Sequence, residues 1–451
     1  MKVVVAGAGE VGYNISDKLS KERIDVVLID RDPARLAVVA DDLDVKTVAS
    51  PVIRPEVLLQ AGIRESQIFI AVTGSDSDNI LACRYVQMLA PMVLRLARLR
   101  DSLVYKGFSP QEIQEGLGVN HIIDPTALVV DTILDFMAIP GAGDVIDVSG
   151  GRLKLVGLRL DRHHPIVGRR LAESLPRDSD TRLLIAAIYR HHELLIPNGN
   201  SVLRGKDLLY LASTPERLAD LSRFFNLDNA QPKVVFIMGG GEVGLLLARR
   251  LEERDLVVKL IELNEERCAQ LSEVLTSTIV IKGDATDQAI LEDEGVEECD
   301  IFIALGTDDE KNMISCLLAR RLGARNTITR VNRVSYVPLV SAIGLDALVS
   351  ARVAAVSAIL KHVRKGLIVS VSTLRNEEAE IVELEVPGGS RMAGKRIQEA
   401  RLPRDAIIAA LLREGEALIP RGDTRVESGD ILAVVCRPEA IEPLERALAE
   451  K

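Results

Sequence analysis

The sequence predicts an α/β protein made of two tandem Rossmann-like, doubly wound parallel sheets, each followed by a small α+β domain. Three observations carry this expectation. The chain is written twice at a nearly constant offset. Each copy opens on an apolar run, a glycine-rich turn and a helical pattern. The apolar share is 47% while aromatics make up 3% and Trp is absent, so the core must be built from Val, Leu, Ile and Ala. That composition suits strands covered on both faces.

The duplication is explicit in the residues. Val3-Val4-Val5-Ala6-Gly7-Ala8-Gly9-Glu10-Val11-Gly12 returns as Val235-Phe236-Ile237-Met238-Gly239-Gly240-Gly241-Glu242-Val243-Gly244, an offset of 232 (244 minus 12). Gln60-Ala61-Gly62-Ile63 returns as Asp293-Glu294-Gly295-Val296, and Asp76-Ser77-Asp78-Asn79 as Asp309-Glu310-Lys311-Asn312, both offset by 233 (312 minus 79). Leu195-Ile196-Pro197-Asn198-Gly199 matches Leu418-Ile419-Pro420-Arg421-Gly422, and Gly205-Lys206-Asp207 matches Ser428-Gly429-Asp430, at an offset of 223 (430 minus 207). So long a period marks a duplicated domain pair and not a solenoid.

Within each copy, residues 1–135 and 233–362 alternate short apolar strands with helical stretches, the pattern of a doubly wound sheet. Residues 136–228 and 363–451 carry β-branched runs between Gly and Asp turns and read as small α+β domains. Residues 226–232 form the linker between copies. A length of 451 residues is more than one core supports.

The net charge of −10 argues against a nucleic-acid partner, which would require surplus Lys and Arg. No apolar stretch reaches the roughly 18–20 residues that span a bilayer. The opening residues turn polar too soon for a signal peptide. Five cysteines without a CxxC pair read as reduced thiols of a cytoplasmic protein.

The glycine turn is where chemistry enters. In Gly7-Ala8-Gly9-Glu10-Val11-Gly12 the first glycine permits the tight turn. Gly9 lets a pyrophosphate approach the backbone, and Gly12 lets the helix pack on the strand. The helix start then favours phosphate charge. The second strand ends at Asp30, whose carboxylate suits a ribose 2′-hydroxyl and repels a 2′-phosphate, favouring NAD over NADP. The second copy repeats this with Gly239, Gly240, Gly241, Glu242, Val243, Gly244 and Glu262. Ligands sit beyond the carboxyl ends of parallel strands. The next strand therefore delivers Thr73, Gly74, Asp76 and Asn79 to the first pocket, and Thr307, Asp309 and Asn312 to the second. Arg98 and Arg330 follow at the ends of the adjacent strands, each able to neutralise phosphate.

These residues together resemble the TrkA family of Trk-system potassium uptake proteins, tandems of regulator-of-K+-conductance units. The likeness covers nearly the whole chain. It rests on GAGEVG, the acidic strand end, Thr73-Gly74-Ser75-Asp76-Ser77-Asp78-Asn79, and the tail Gly415 to Gly422 followed by Gly429-Asp430. The resemblance implies a peripheral subunit on the cytoplasmic face of the inner membrane. Such a subunit docks on a membrane-embedded potassium transporter of the TrkH/TrkG type and touches the membrane only through that partner. It also implies binding of NAD(H) and often ATP or ADP, with regulation of transport and no catalysis. Four chains would place eight nucleotide domains in a closed homotetrameric ring. The second copy keeps the family's Gly283-Asp284 after its third strand, whereas the first has Ser50-Pro51. The first copy is also richer in arginine over residues 93–100, so the two sites are expected to differ in nucleotide preference.

Two other readings compete. An NAD-dependent oxidoreductase needs a proton donor or acceptor by the nicotinamide. None of the six histidines falls at the mouth of a glycine-loop strand. His163-His164 and His191-His192 are expected to be solvated turn residues in preference to metal ligands. A plain assembly protein with vestigial sites would account for Ser50-Pro51 but not for the intact second copy. Cys83 and Cys316, equivalent in the repeat, are expected to be buried packing residues.

Overall fold

The computed structural model describes residues 1–101, 104–139, 141–174, 183–191, 193–225, 232–363, 368–374, 379–400 and 402–449. The expected linker 226–232 lies, except for Pro232, outside the described residues, as does His192. The chain divides into two compact units: Met1–Val129 with Ser350–Val363, and Val130–Val349 with Arg364–Lys451.

The first unit is built on six parallel strands: β1 (Lys2–Ala6), β2 (Asp25–Asp30), β3 (Lys46–Ala49), β4 (Ile68–Ala71), β5 (Leu94–Arg98) and β6 (His121–Ile123). Their order is β3-β2-β1-β4-β5-β6. The order reverses between β1 and β4, which opens a crevice at the carboxyl ends of those strands. Val3, Val4 and Val5 are fully buried because helices cover both faces of the sheet. The helix Glu10–Lys21 buries Val11, Ile15 and Leu19, spaced four apart, against this sheet. It carries Glu10 in its first turn and Lys18 and Lys21 in its last, matching the helix dipole.

One helix of this unit comes from far along the chain. Ala351–Val363 buries Ala355, Val356, Ile359, Leu360 and Val363 in the same core as Val3, Ile15 and Leu19. The duplication assigns this helix to the second copy, but its apolar stripe closes the first sheet. At its far end His362 stacks on His121 with ring centroids 4.0 Å apart.

The second unit holds three sheets. One contains β7 (Ala142–Val148), β8 (Leu153–Arg159), β9 (Leu184–Arg190), β10 (Glu193–Leu195) and β11 (Leu208–Ser213), ordered β10-β9-β11-β8-β7. The next is parallel: β12 (Val234–Met238), β13 (Val257–Glu262), β14 (Ile279–Lys282), β15 (Ile301–Ala304), β16 (Asn326–Arg330) and β17 (Ala347–Val349), ordered β14-β13-β12-β15-β16-β17. It repeats the first sheet strand for strand. The last contains β18 (Ile368–Leu374), β19 (Ala379–Glu385), β20 (Ala406–Arg413), β21 (Glu416–Leu418) and β22 (Ile431–Cys436), ordered β18-β19-β22-β20-β21. Read backwards, that is the order of the other small sheet.

The two small sheets share one core, in which Leu153, Leu155, Ala187 and Tyr210 meet Ile381, Ala409, Ala433 and Val435. Ser149 donates from its backbone nitrogen and its hydroxyl to the buried Glu383 carboxylate, at 3.0 and 2.9 Å. Each small domain is pinned by an equivalent ion pair. The Arg190 guanidinium donates to both carboxylate oxygens of Asp207 at 2.7 and 2.6 Å, and Arg413 to those of Asp430 at 2.9 Å each. The tail turn, Gly205-Lys206-Asp207 in the first copy and Gly429-Asp430 in the second, thus supplies a buried carboxylate, which also accepts from the backbone nitrogen of Arg204 or Glu427.

His164 departs from the solvated turn expected of it. It is half-buried, its Nε2 lies 3.1 Å from the Phe224 carbonyl, and its ring stacks on Phe225. Among the described residues no group of three or more His, Cys, Asp and Glu side chains could hold a metal. No described helix is long and apolar enough to cross a membrane.

Candidate functional site

The two glycine loops have nearly superposable constraints. Gly7 and Gly239 adopt φ of +107° and +99°, a region that disfavours any side chain. A Cβ on Gly12 would lie 1.8 Å from the Gly7 carbonyl oxygen, and one on Gly244 2.0 Å from that of Gly239. The helix after each loop can therefore approach its strand only because these positions lack a side chain. Gly9 and Gly241 differ from them. A Cβ at either would meet nothing within 4 Å, so these two glycines border open space at the crevice. Each caps its helix without a side-chain hydrogen bond, which leaves the first backbone N–H groups free to face an anion.

The acidic strand ends tie onto the loops. Asp30 accepts from the Ala8 nitrogen at 2.6 Å and the Asp32 nitrogen at 2.8 Å. Glu262 accepts from Gly240 at 2.7 Å and Asn264 at 2.9 Å. Each carboxylate keeps further lone pairs, since two oxygens offer about four acceptor directions.

The remaining expected residues cluster around the end of β4 and its counterpart. Asn79 is fully buried; its amide donates to the Arg98 carbonyl at 2.8 Å, and its oxygen accepts from the Thr73 nitrogen and hydroxyl at 2.9 and 2.7 Å. Asn312 donates likewise to the Arg330 carbonyl at 3.0 Å and to the Gly306 carbonyl at 2.9 Å. Asp76 accepts from the backbone nitrogens of Arg100 and Asp101, and Asp309 from those of Asn332 and Arg333. These four side chains therefore brace the loops that form the crevice wall. Gly74 and Thr307 lie between them, and the Gly74 carbonyl accepts from Arg100. Asp284 accepts from the Thr286 hydroxyl and nitrogen at 2.7 and 2.9 Å, which holds its carboxyl below the usual range.

Arg98 donates one nitrogen to the Thr73 carbonyl at 2.8 Å, and its Nε is buried without a partner. Arg330 likewise has a buried, unpartnered Nε. Burial, and for Arg98 also the neighbouring Arg100, lowers the pKa of these guanidiniums, although Asp76 and Asp309 favour the charge. A buried donor left unpaired is costly, and a phosphate oxygen would satisfy it. Open space over Gly9 and Gly241, free helix N–H groups and an orphaned guanidinium make a donor set that fits an adenine nucleotide in both copies.

Three features escaped the sequence. Arg95, one of the arginines that enrich the first copy, is 2% exposed and donates to the carbonyls of Gly118, Pro91 and Val93. It braces a turn and is not available to a ligand; its equivalent, Thr327, bonds Asp346 instead. In the second copy Arg267 donates to the Gly240 carbonyl at 2.8 Å, whereas its first-copy equivalent, Arg35, pairs with Asp32. Arg352, on the helix that closes the first sheet, reaches Glu10. Arg95 had a visible signal, as a charge within an apolar strand, and Arg267 had one in its repeat equivalent, Arg35.

A sheet ordered 3-2-1-4-5-6, with a glycine turn after its first strand and an acid closing its second, defines a Rossmann-type module, present here twice. The TrkA-N domain model matches residues 3–125 and 235–351, and the TrkA-C domain model residues 155–226 and 381–449. The Trk system potassium uptake protein TrkA of Halomonas elongata is 37% identical over 99% of this chain and 98% of its own length. That of Haemophilus influenzae is 34% identical over 96% and 95%. The chain belongs to the TrkA family of Trk system potassium uptake proteins. In fold it is similar to the RCK domain of the GsuK channel, with a TM-score of 0.61 and 23% identity, covering 99% of this chain and 94% of that one. It is also similar to the GsuK channel bound to NAD, with a TM-score of 0.60 and 23% identity, covering 99% and 78%.

Proposed function

We propose that this chain is a non-enzymatic regulatory subunit that binds NAD(H), and ATP or ADP, and gates a Trk-type potassium transporter of the TrkH/TrkG kind from its cytoplasmic face. The observation that carries the reading is the repetition, at equivalent positions, of one donor set: a cradle over Gly9 or Gly241, an acid at Asp30 or Glu262, and a guanidinium at Arg98 or Arg330. Two solved structures of this fold are of GsuK, one bound to NAD and one bound to ADP, which supports an adenine nucleotide as the class of ligand.

In this account the loop N–H groups and the arginine hold phosphates, while the acid holds a ribose hydroxyl. A bound dinucleotide would add its own charge and bridge loop to wall. If it binds two arrangements of a closed ring, built from four chains, with a hundredfold difference in affinity, it supplies about 2.7 kcal/mol to bias them. That suffices to regulate transport without chemistry in this subunit. The test is calorimetry on the purified chain. NADH should bind with no turnover, NADPH more weakly, and Asp30→Ala and Glu262→Ala should each weaken NADH. Equal affinity for NADPH would remove the role assigned to the acids.

A further inference from the structure

Arg352 is the second residue of the helix Ala351–Val363, more than 300 residues from the first glycine loop in sequence. The helix nevertheless packs within the first unit, on the helix that begins at Glu10. Its arginine is largely buried, with 16% of the side chain exposed, and a terminal nitrogen lies 2.5 Å from the Glu10 carboxylate. Its Nε is buried and has no hydrogen-bond partner. Glu10, by contrast, is 72% exposed in its side chain. It is the first helical residue after Gly9, at the point where the free N–H groups face the crevice.

This geometry is uneven. A guanidinium offers five donors in a planar fork and is best satisfied by an anion that accepts two at once. Here it meets one oxygen of a solvent-facing acid and keeps a buried donor unfilled. Glu10 is largely solvated already and can rotate into water, provided an incoming phosphate replaces its charge at the guanidinium. Arg352 cannot retreat so easily, because its helix is fixed by Ala355, Ile359 and Val363. The corresponding position in the first copy, three residues after its last parallel strand and second in the following helix, is Thr126, which carries no charge. Among the described residues Glu242, the counterpart of Glu10, makes no ion pair.

We propose that Arg352 is a phosphate-binding residue of the first nucleotide site, and that Glu10 is its built-in competitor. The ligand class is a nucleoside polyphosphate or dinucleotide whose phosphates lie over Gly9. Phosphate displaces the Glu10 carboxylate from the guanidinium and fills the orphaned Nε. The first site is thus completed by the second half of the chain, and its occupancy stabilises the docking of the helix Ala351–Val363. The inference rests on the reading of the Gly7–Gly12 loop as a nucleotide site.

The test uses the full chain in a Glu262→Ala background, with ATP, ADP and NADH by calorimetry and adenosine as the phosphate-free control. Arg352→Gln should weaken the phosphate-bearing ligands roughly tenfold to a hundredfold, the range of a charge-assisted hydrogen bond, and leave adenosine unchanged. Glu10→Gln should tighten them. Arg352→Lys, which keeps the charge but loses the fork, should fall between wild type and Arg352→Gln. Nucleotide should slow hydrogen exchange across residues 351–363 in wild type but not in Arg352→Gln. Wild-type affinity in Arg352→Gln, or weaker binding in Glu10→Gln, would overturn the proposal. If Gly9→Val abolishes binding while Arg352→Gln does not, the nucleotide site stands and this inference falls. If wild type binds none of the four ligands, both fall.

Discussion

Gly9 and Gly12 sit three residues apart in the same loop, and the structure assigns them opposite reasons for lacking a side chain. Replacing Gly12 with Ala would set a Cβ 1.8 Å from the Gly7 carbonyl oxygen. A tolerable carbon–oxygen contact is roughly 3.3 Å, so the helix Glu10–Lys21 would have to retreat by roughly 1.5 Å. That retreat loosens Ile15 and Leu19, both fully buried, from the sheet. Overpacking of this kind costs about 1–3 kcal/mol and should lower the melting temperature of the first unit by several degrees. Gly9→Ala places its methyl in open space, with φ at an ordinary −71°. Stability should change by less than about 1 kcal/mol, the cost of a poorer helix cap. The methyl nevertheless occupies the approach of a pyrophosphate, so NADH affinity at the first site should collapse. Thermal unfolding followed alongside NADH calorimetry separates the two. A Gly12→Ala variant as stable as wild type, or a Gly9→Ala variant equally destabilised, would refute this division of roles.

The stacked histidines make the first unit acid-sensitive. Burial, then the charges of His121 and Lys361, push His362 down to about 4, and burial lowers His121. His362 is thus neutral in the fold over a range where the unfolded chain takes up a proton, between its pKa near 6.5 and about 4, and the lowered His121 acts in the same direction. Stability of the helix Ala351–Val363 should fall as pH drops through that window, and His362→Gln should flatten the dependence, read by hydrogen exchange against pH. Asp207→Ala strips Arg190 of its buried partner and should cost about 3 kcal/mol, whereas Arg190→Met with Asp207→Leu should cost less than the sum of the two single changes, by denaturant unfolding. Thiol reagents at pH 8 should label Cys268 first, since it alone of the five is part-exposed, while burial pushes Cys83, Cys299 and Cys436 up to about 12. Modification of Cys83 or Cys316 in the native chain at a similar rate would contradict their role as packing residues.

Local physics explains what was legible beforehand. Strand, glycine turn, helix and acidic strand end are set within about thirty residues, so each announces itself in both copies. The small domains were visible for the same reason, through β-branched runs and the Gly-Asp turns that deliver Asp207 and Asp430. Long-range choices were hidden. An amphipathic helix shows which face it buries but not which sheet receives it, so the docking of Ala351–Val363 on the first sheet had no sequence signal. Polar side chains near the crevice were equally ambiguous. Asn79 and Asn312 could have faced a ligand, but both are fully buried and bonded to backbone. Arg95 looked like part of a basic patch because charge is visible in a sequence and burial is not. His164 read as a turn residue because its partners, Phe224 and Phe225, lie sixty positions away.

The central claim is that nucleotide occupancy of these two sites governs potassium flux with no reaction in this subunit. The direct measurement is potassium uptake into vesicles holding the membrane subunit, with this chain added alone, with NADH, with ADP and with ATP. Flux should change with the nucleotide and recover when that nucleotide is removed, with NADH returned chemically unaltered. Gly9→Val combined with Gly241→Val should make flux indifferent to every nucleotide. Unchanged flux across all nucleotides with the wild-type chain bound, or steady consumption of NADH, would contradict the account.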